Sequence, residues 1–249
     1  QPLSFKNIRL TNNKNKMRIL KLYIQNFSLL TTLLFSANLS AQTMMFNSAV
    51  LKLKKGMEDN FVDAHEILLS DAKFTSGSQI AIERILKGHK NGAIFRTVWV
   101  MPAEGDMIEG ISQDKWDAYW AKMGDCIIEY TEHSAGRFLF GQGRPKKGDV
   151  IHIWDFKAAN QNQFKTAQEK MLKELQKEFD GRFIAFGTYD INKPDGATHW
   201  AAVSGKSEGD HIMLLEKLEK TKAFYEFIES RGTVEDIRDY ETWLFELYE

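Results

Sequence analysis

The sequence has a single cysteine, Cys126, so the chain cannot form an internal disulfide. In an oxidising compartment such a cysteine must be buried, free or paired with another chain. Cys126 falls beside the apolar positions of a predicted helix, which favours burial.

The chain has neither an excess of basic residues nor a basic run. It carries 33 Lys and Arg against 34 Asp and Glu, and residues 1–41 hold six of the basic residues and none of the acidic ones. Without that segment, 33 − 6 = 27 basic side chains face 34 acidic ones, a net charge of −7. This charge is unfavourable for binding nucleic acid or an anionic membrane. We therefore expect no nucleic-acid partner and no stable membrane insertion once that segment is removed.

Several catalytic motifs are missing from the sequence. There is no G-x-S-x-G, Walker-type loop, dinucleotide-binding glycine fingerprint or Cys-His pairing, which argues against hydrolases, kinases and dinucleotide-dependent enzymes. Glu129 and His133 are four residues apart on a predicted helix, and His65 precedes Glu66. Neither pair has a third ligand at a fixed spacing, so the sequence predicts no metal site.

The first 41 residues differ in composition from the rest. Residues 1–16 have only Lys and Arg as charged residues and are rich in Asn, and we interpret them as an upstream segment outside the folded protein. Residues 17–41 have the pattern of a secretory signal peptide, with a positive start, the apolar run FSLLTTLLFSANLS and Ala41 before Gln42. The run is too short and too interrupted for a spanning helix, and the alternative is a buried N-terminal helix. We expect a secreted or periplasmic protein.

Strand and helix patterns alternate regularly over residues 46–145. The predicted order is strand, helix, two strands joined by the loop KGHKNG, helix and strand. The first helix starts at about Met57, and the second follows Ser112, which can cap it. The apolar stripe of the second helix extends to Tyr130.

Residues 146–249 repeat that order. After the strand DVIHIWDF, a helix capped by Asn160 leads to two strands joined by NKPDG. One long helix is predicted over about His211 to Ser230, followed by the strand YETWLFELY. Each half therefore has the β-α-β-β-α-β order of a ferredoxin-like unit.

The two halves also share sequence. The stretch GATHWAAVSGKSEGD, residues 196–210, aligns without a gap to GAIFRTVWVMPAEGD, residues 92–106, at an offset of 196 − 92 = 104 residues. They share Gly-Ala at the front and Glu-Gly-Asp at the back. We infer a duplication, with function in the divergent middle of the pair.

The predicted strands are apolar on both faces. In one strand Ile151 and Ile153 lie opposite His152, Trp154 and Phe156. An exposed apolar sheet face needs a partner, and two sheets packed face to face bury both.

This order and repeat resemble the dimeric α+β barrel superfamily, over residues 46–249 and without a signature motif. The resemblance implies an α+β fold in which two tandem ferredoxin-like units, 46–145 and 146–249, pack their sheets face to face as a pseudo-dimeric barrel. The chain would be a monomeric pseudo-dimer or a higher oligomer. The superfamily includes cofactor-free monooxygenases, haem-binding or haem-degrading proteins and lactone isomerases. It implies a cavity that accepts a planar or apolar small molecule, and no catalytic set transfers residue by residue.

Six side chains are candidates to bind a ligand in that cavity: His152, Trp154, His199, Trp200, Arg96 and Trp99. A histidine could accept a proton or bind haem, an indole could stack on the ligand, and a buried arginine could bind a carboxylate or haem propionate. Alternation allows only one of His199 and Trp200 to face the cavity. The competing interpretation makes the histidines and tryptophans part of the core and places the arginines, Arg84 included, at a solvated edge.

Three hypotheses follow. The first is a secreted or periplasmic protein that binds a small apolar or aromatic molecule without a stable cofactor. The second is a monooxygenase, an isomerase or a haem-binding protein that uses the same cavity, so haem is the one cofactor left open. The third is a protein-interaction module without a ligand. A void beside a histidine or arginine favours the first two.

Overall fold

The structure, a computed structural model, describes residues 43–249; the predicted upstream segment and signal peptide lie outside the described residues. The strands are β1 (Met44–Leu53), β2 (Lys73–Phe74), β3 (Gln79–Lys87), β4 (Phe95–Pro102), β5 (Ile108–Glu109), β6 (Ile127–Gln142), β7 (Val150–Ala158), β8 (Ile184–Thr188), β9 (His199–Gly205) and β10 (Val234–Tyr248). The helices are α1 (Glu58–Leu69), α2 (Gln113–Cys126), α3 (Gln161–Glu174), α4 (Glu208–Leu218) and α5 (Lys222–Ser230).

Eight strands close into one antiparallel barrel in the order β1-β4-β3-β10-β7-β9-β8-β6. Within it, β6-β1-β4-β3 and β10-β7-β9-β8 have the same strand order, that of a ferredoxin-like sheet. The two sheets join edge to edge at two seams, β3 with β10 and β6 with β8. The expected fold class, two tandem ferredoxin-like units in a pseudo-dimeric barrel, is confirmed.

Alternation along each strand separates an inner core from three outer clusters under the helices. Inside the barrel, Phe46, Ile153 and Leu244 belong to one buried cluster. Outside, Phe61 of α1 is fully buried against the first sheet, while Phe164 of α3 packs against the second. Burying each such phenylalanine contributes about 2–3 kcal/mol, so the helices are held on the outside of the barrel.

The second helix is shorter than the sequence predicts. It ends at Cys126, and β6 begins at Ile127, which pairs with Leu53 of β1. The run of Ile, Tyr and Thr after Cys126 suits a strand, and pairing with β1 prevails over the helical spacing. Trp120 and Tyr130, expected on the buried stripe, are exposed.

The predicted final helix is two helices, α4 and α5. Thr221 separates them because its Oγ1 donates to the carbonyl oxygen of Leu218 at 2.7 Å and accepts from the backbone N–H of Phe224 at 3.3 Å. One side chain thus ends the first helix and caps the second.

Two local expectations are confirmed, the capping of two helices and the burial of the cysteine. The Ser112 side chain caps α2 by accepting from the backbone N–H of Lys115, and the Asn160 side chain caps α3 by accepting from that of Gln163. Cys126 is buried, with 1% of its surface exposed.

Among residues 43–249, no helix has the length and apolar character needed to cross a membrane.

Candidate functional site

A cavity opens between the two sheets at one end of the barrel, with an empty volume of about 540 Å3 that includes its solvent-open part. We call it the first cavity. Most of its wall is apolar or aromatic, including Phe46, Val98, Phe138, Ile153 and Trp200. Such a wall favours an apolar guest, because the guest leaves water on entering.

Trp200 forms the aromatic side of this cavity. Its ring meets Phe46 at 5.4 Å and Phe138 at 5.0 Å between centroids, both edge to face. The indole lies against Gly187 of the neighbouring strand. A glycine leaves room for it there, since a Cβ at this position would lie 2.5 Å from an indole carbon. The indole Nε1 is buried without a hydrogen-bond partner among the described residues.

A charged pair forms part of the same wall. Glu83 of β3 lies opposite Arg96 of β4 in the strand register, and Arg96 Nη1 donates to Glu83 Oε2 at 2.8 Å. Arg96 Nε donates to the hydroxyl of Ser48 at 2.9 Å. Burial disfavours the charged guanidinium, but neighbouring phenols and the Glu83 carboxylate outweigh it and raise the pKa of Arg96. Arg96 therefore stays charged inside the barrel.

A second set of hydrogen-bonded polar side chains lies inside the barrel. The Tyr189 hydroxyl donates to Asp155 Oδ1 at 2.7 Å, and Arg238 Nε donates to Asp155 Oδ2 at 2.7 Å. Arg238 also binds both carboxylate oxygens of Glu132. Burial raises the pKa of Asp155, and the Arg238 charge opposes that shift. Arg96 and Asp155 thus each have an oppositely charged partner, which offsets the cost of burying their charges.

Tyr240 lies between the two charged groups, with the guanidinium of Arg96 at 5.8 Å and that of Arg238 at 5.1 Å from its ring centroid. Beyond it, a second cavity of about 470 Å3, including open solvent, is lined by polar loop residues such as Lys90. Lys90 pairs with Asp195 of the other repeat. This end of the barrel therefore carries ion pairs around a polar cavity, whereas the first cavity is largely apolar.

Two of the six sequence candidates face the first cavity, Arg96 and Trp200. Trp99 does not: it lies on the helix side of β4 and stacks on Trp116 of α2 at 6.1 Å. Strand alternation explains this, since Arg96 and Trp99 are an odd number of residues apart. Arg84 is exposed, next to the buried Glu83.

The other three candidates also lie outside the barrel, which corrects their expected placement in the cavity. His152 stacks on Trp154 at 4.0 Å and its Nε2 lies 2.8 Å from Asp239 Oδ2. His199 stacks between Phe156 and Phe186 in an outer core. On the same strands the alternate residues Ile151, Ile153 and Trp200 face the interior, so these three side chains point outward.

Glu83 is the site residue that the sequence analysis missed. In the segment IAIERIL, alternation places Glu83 on the same face as Ala81 and Ile85, both buried inside the barrel. A single acidic residue on an apolar strand face was the available signal. Its partner became evident only from the register of β3 and β4.

The first cavity does not fit haem. Among the described residues that line it, none is a His, Cys, Met or Tyr, the side chains that normally bind haem iron. The two outer histidines nearest each other, His152 and His211, use their Nε2 atoms with Asp239 and the Val150 carbonyl oxygen. Within residues 43–249 there is also no cluster of three His, Cys, Asp or Glu that could hold a metal ion.

Comparison with known proteins gives structural neighbours only. No family model matches the sequence, and no curated protein matches it. A proposed monooxygenase from Lactobacillus acidophilus NCFM has 12% identity and a TM-score of 0.56, over 82% of this chain and 95% of that one. A proposed monooxygenase from Fusobacterium nucleatum has 11% identity and a TM-score of 0.52, over 84% and 95%. A proposed chlorite dismutase has 8% identity and a TM-score of 0.50, over 82% and 95%. At these identities the similarity shows the fold alone, and that fold is the dimeric α+β barrel, here as a tandem fusion.

Proposed function

We propose that this chain is a secreted or periplasmic protein that binds a small apolar or planar molecule in the first cavity. The observation that carries the proposal is the void between the sheets, with Trp200, Phe46 and Phe138 on one side and a single charged pair, Glu83 and Arg96, in its wall. Aromatic rings around a void supply a large apolar contact area for a flat guest.

The closed barrel favours this function over a protein-interaction module that uses sheet edges. Each of the eight barrel strands is hydrogen-bonded to two neighbours, so the barrel has no free edge to extend. The wall residues are also small where a guest would lie: Ala81 and Ala202 face the void.

Two adjacent alanines of β9 provide a matched test. Ala202 faces the first cavity and Ala201 faces the helices. We expect native mass spectrometry of the purified protein to detect a bound apolar molecule. Ala202→Leu fills part of the cavity and should abolish that complex, whereas Ala201→Leu should retain it. An unchanged complex in Ala202→Leu, or loss in both variants, contradicts binding in this cavity.

Export is the second part of the proposal and rests on the sequence of residues 17–41. N-terminal sequencing of the exported protein should begin near Gln42. An intact N-terminus in the extracytoplasmic fraction would contradict cleavage at that position.

A monooxygenase is the second candidate function. Two proteins with a similar fold are proposed monooxygenases, and Arg96 lies beside the void as an enzymatic use of the cavity requires. The discriminating measurement is oxygen consumption after addition of a molecule shown to bind. A binder that leaves oxygen uptake and its own mass unchanged supports a binding protein.

A further inference from the structure

The Glu83–Arg96 pair is not needed to build the fold. Glu83 and Gly187 are 187 − 83 = 104 residues apart, the offset of the repeat, and the partner of Gly187 across the strands is Trp200. The second repeat therefore forms the same strand pair without a charge. A buried ion pair contributes little more to stability than apolar residues of similar size. The pair in the first repeat thus has a role other than holding β3 to β4.

Both side chains are almost wholly buried, yet their polar atoms are only partly used. Side-chain exposure is 5% for Glu83 and 10% for Arg96, and both residues line the first cavity. Arg96 donates through Nη1 to Glu83 Oε2 and through Nε to Ser48. Among the described residues, no hydrogen bond reaches Glu83 Oε1 or Arg96 Nη2. Neither atom is among the fully buried side-chain atoms that lack a hydrogen-bond partner, so both are open to the first cavity and can bind water or a ligand there.

The charges of the pair limit what that partner can be. The carboxylate and the guanidinium cancel, so the polar part of the wall has no net charge. An anionic guest would compete with Glu83 for Arg96 and would meet the Glu83 charge at short range, where the surrounding medium screens little. The arginine therefore does not serve as a carboxylate or propionate site, which the sequence alone had suggested.

We propose that the ligand of the first cavity is a neutral flat molecule that carries one hydrogen-bond donor and one acceptor on the same edge, such as an amide, a lactam or a hydroxy-ketone. Its donor binds Glu83 Oε1, its acceptor binds Arg96 Nη2, and its apolar part contacts the aromatic wall around Trp200. This inference rests on the proposed function and specifies the ligand class of the same site.

Four aromatic probes of similar size test it by calorimetric titration of the wild-type protein: benzamide, acetophenone, toluene and benzoate. Hydrogen bonds to charged groups are strong, so benzamide should bind about tenfold or more tightly than acetophenone, which lacks the donor. Toluene should bind more weakly than either, and benzoate most weakly. Toluene or benzoate binding as tightly as benzamide would overturn the ligand class while leaving a binding cavity in place. Absence of binding by all four would overturn the proposed function itself.

Glu83→Gln should reverse the order in which benzamide and benzoate bind, which a merely structural role of Glu83 would not produce. The substitution removes the negative charge while keeping the shape of the side chain, so Arg96 gives the cavity wall a net positive charge. Benzoate should then bind more tightly than benzamide. Glu132→Gln, the same change at the opposite end of the barrel, should keep the wild-type order. Wild-type preference in a folded Glu83→Gln protein contradicts the proposal, and if that variant does not fold the four-probe series on the wild type decides alone.

Discussion

Arg96 and Trp200 occupy equivalent positions on β4 and β9, 200 − 96 = 104 residues apart, and both side chains face the first cavity. The residues opposite them in the register are Glu83 and Gly187. An ion pair in one repeat therefore corresponds to an indole resting on a glycine in the other. The two repeats share the backbone pairing and give the cavity two chemically different sides.

Gly187→Ala should strongly destabilise the protein. The new Cβ would lie 2.5 Å from Trp200 Cζ2 and 2.3 Å from the carbonyl oxygen of Arg137, so both strand and indole must move. Such overpacking costs about 3 kcal/mol of unfolding free energy, measurable by urea denaturation. Gly141→Ala is the matched control, because a Cβ at that strand glycine meets nothing within 4 Å. Equal stability of the two variants would contradict the tight contact.

Tyr189→Phe should destabilise the barrel by about 1–3 kcal/mol, since it leaves Asp155 Oδ1 buried without its donor. Tyr225→Phe serves as the control, because Tyr225 is 59% exposed and its change should be nearly neutral. Chemical denaturation of both variants under identical conditions gives the comparison. A loss in Tyr225→Phe as large as that in Tyr189→Phe would argue against the buried hydrogen bond as the cause.

Stability should decrease on acidification because of His65. Its Nδ1 lies 2.8 Å from the Phe61 carbonyl oxygen and its Nε2 lies 3.0 Å from the Tyr119 hydroxyl. Burial lowers the pKa of His65 to about 4, while the unfolded chain titrates near 6.5. Between these values the unfolded state binds more protons, so stability falls as pH decreases, by roughly 3 kcal/mol over the whole window.

Urea unfolding of His65→Leu across the same pH range tests this slope. The variant should lose less stability on acidification than the wild type, whatever its stability at neutral pH. Burial also lowers the pKa of His199 and His211, so part of the slope remains. An identical slope in wild type and variant would show that His65 does not contribute.

Cys126 should resist thiol reagents in the native protein and react once the chain unfolds. Only 1% of its surface is exposed, and burial raises the pKa of its thiol, which lowers the reactive thiolate fraction. Timed labelling with a chromogenic disulfide reagent, with and without denaturant, measures the protection. Labelling at the same rate in both conditions would show that the thiol is accessible.

The sequence predicted correctly which residues share a strand face, but it did not predict which face points into the barrel. Alternation correctly separated Ile151 and Ile153 from His152 and Trp154. Both faces of β7 are apolar, one covered by the opposite sheet and one by helices, so composition did not distinguish inside from outside. On β7, His152 and Trp154 were expected in the cavity, whereas Ile151 and Ile153 line it.

Helix ends and the charged pair depended on contacts that are distant in sequence. The spacing of Ile127 and Tyr130 fits a helix, and pairing with β1 makes them part of β6. Glu83 acquires its meaning from Arg96 on the facing strand and from the glycine that replaces it in the second repeat. Periodicity within one segment carries no information about such partners.

The seam between β3 and β10 has a consequence for how the protein acquires its structure. It pairs Arg84 with Trp243, 243 − 84 = 159 residues later, so the barrel cannot close until the last strand is available. Contacts between residues so far apart in the sequence slow folding, and they delay the burial of apolar strands during synthesis. A chain with this late closure exposes its apolar strands for longer, the state in which chaperones bind their clients.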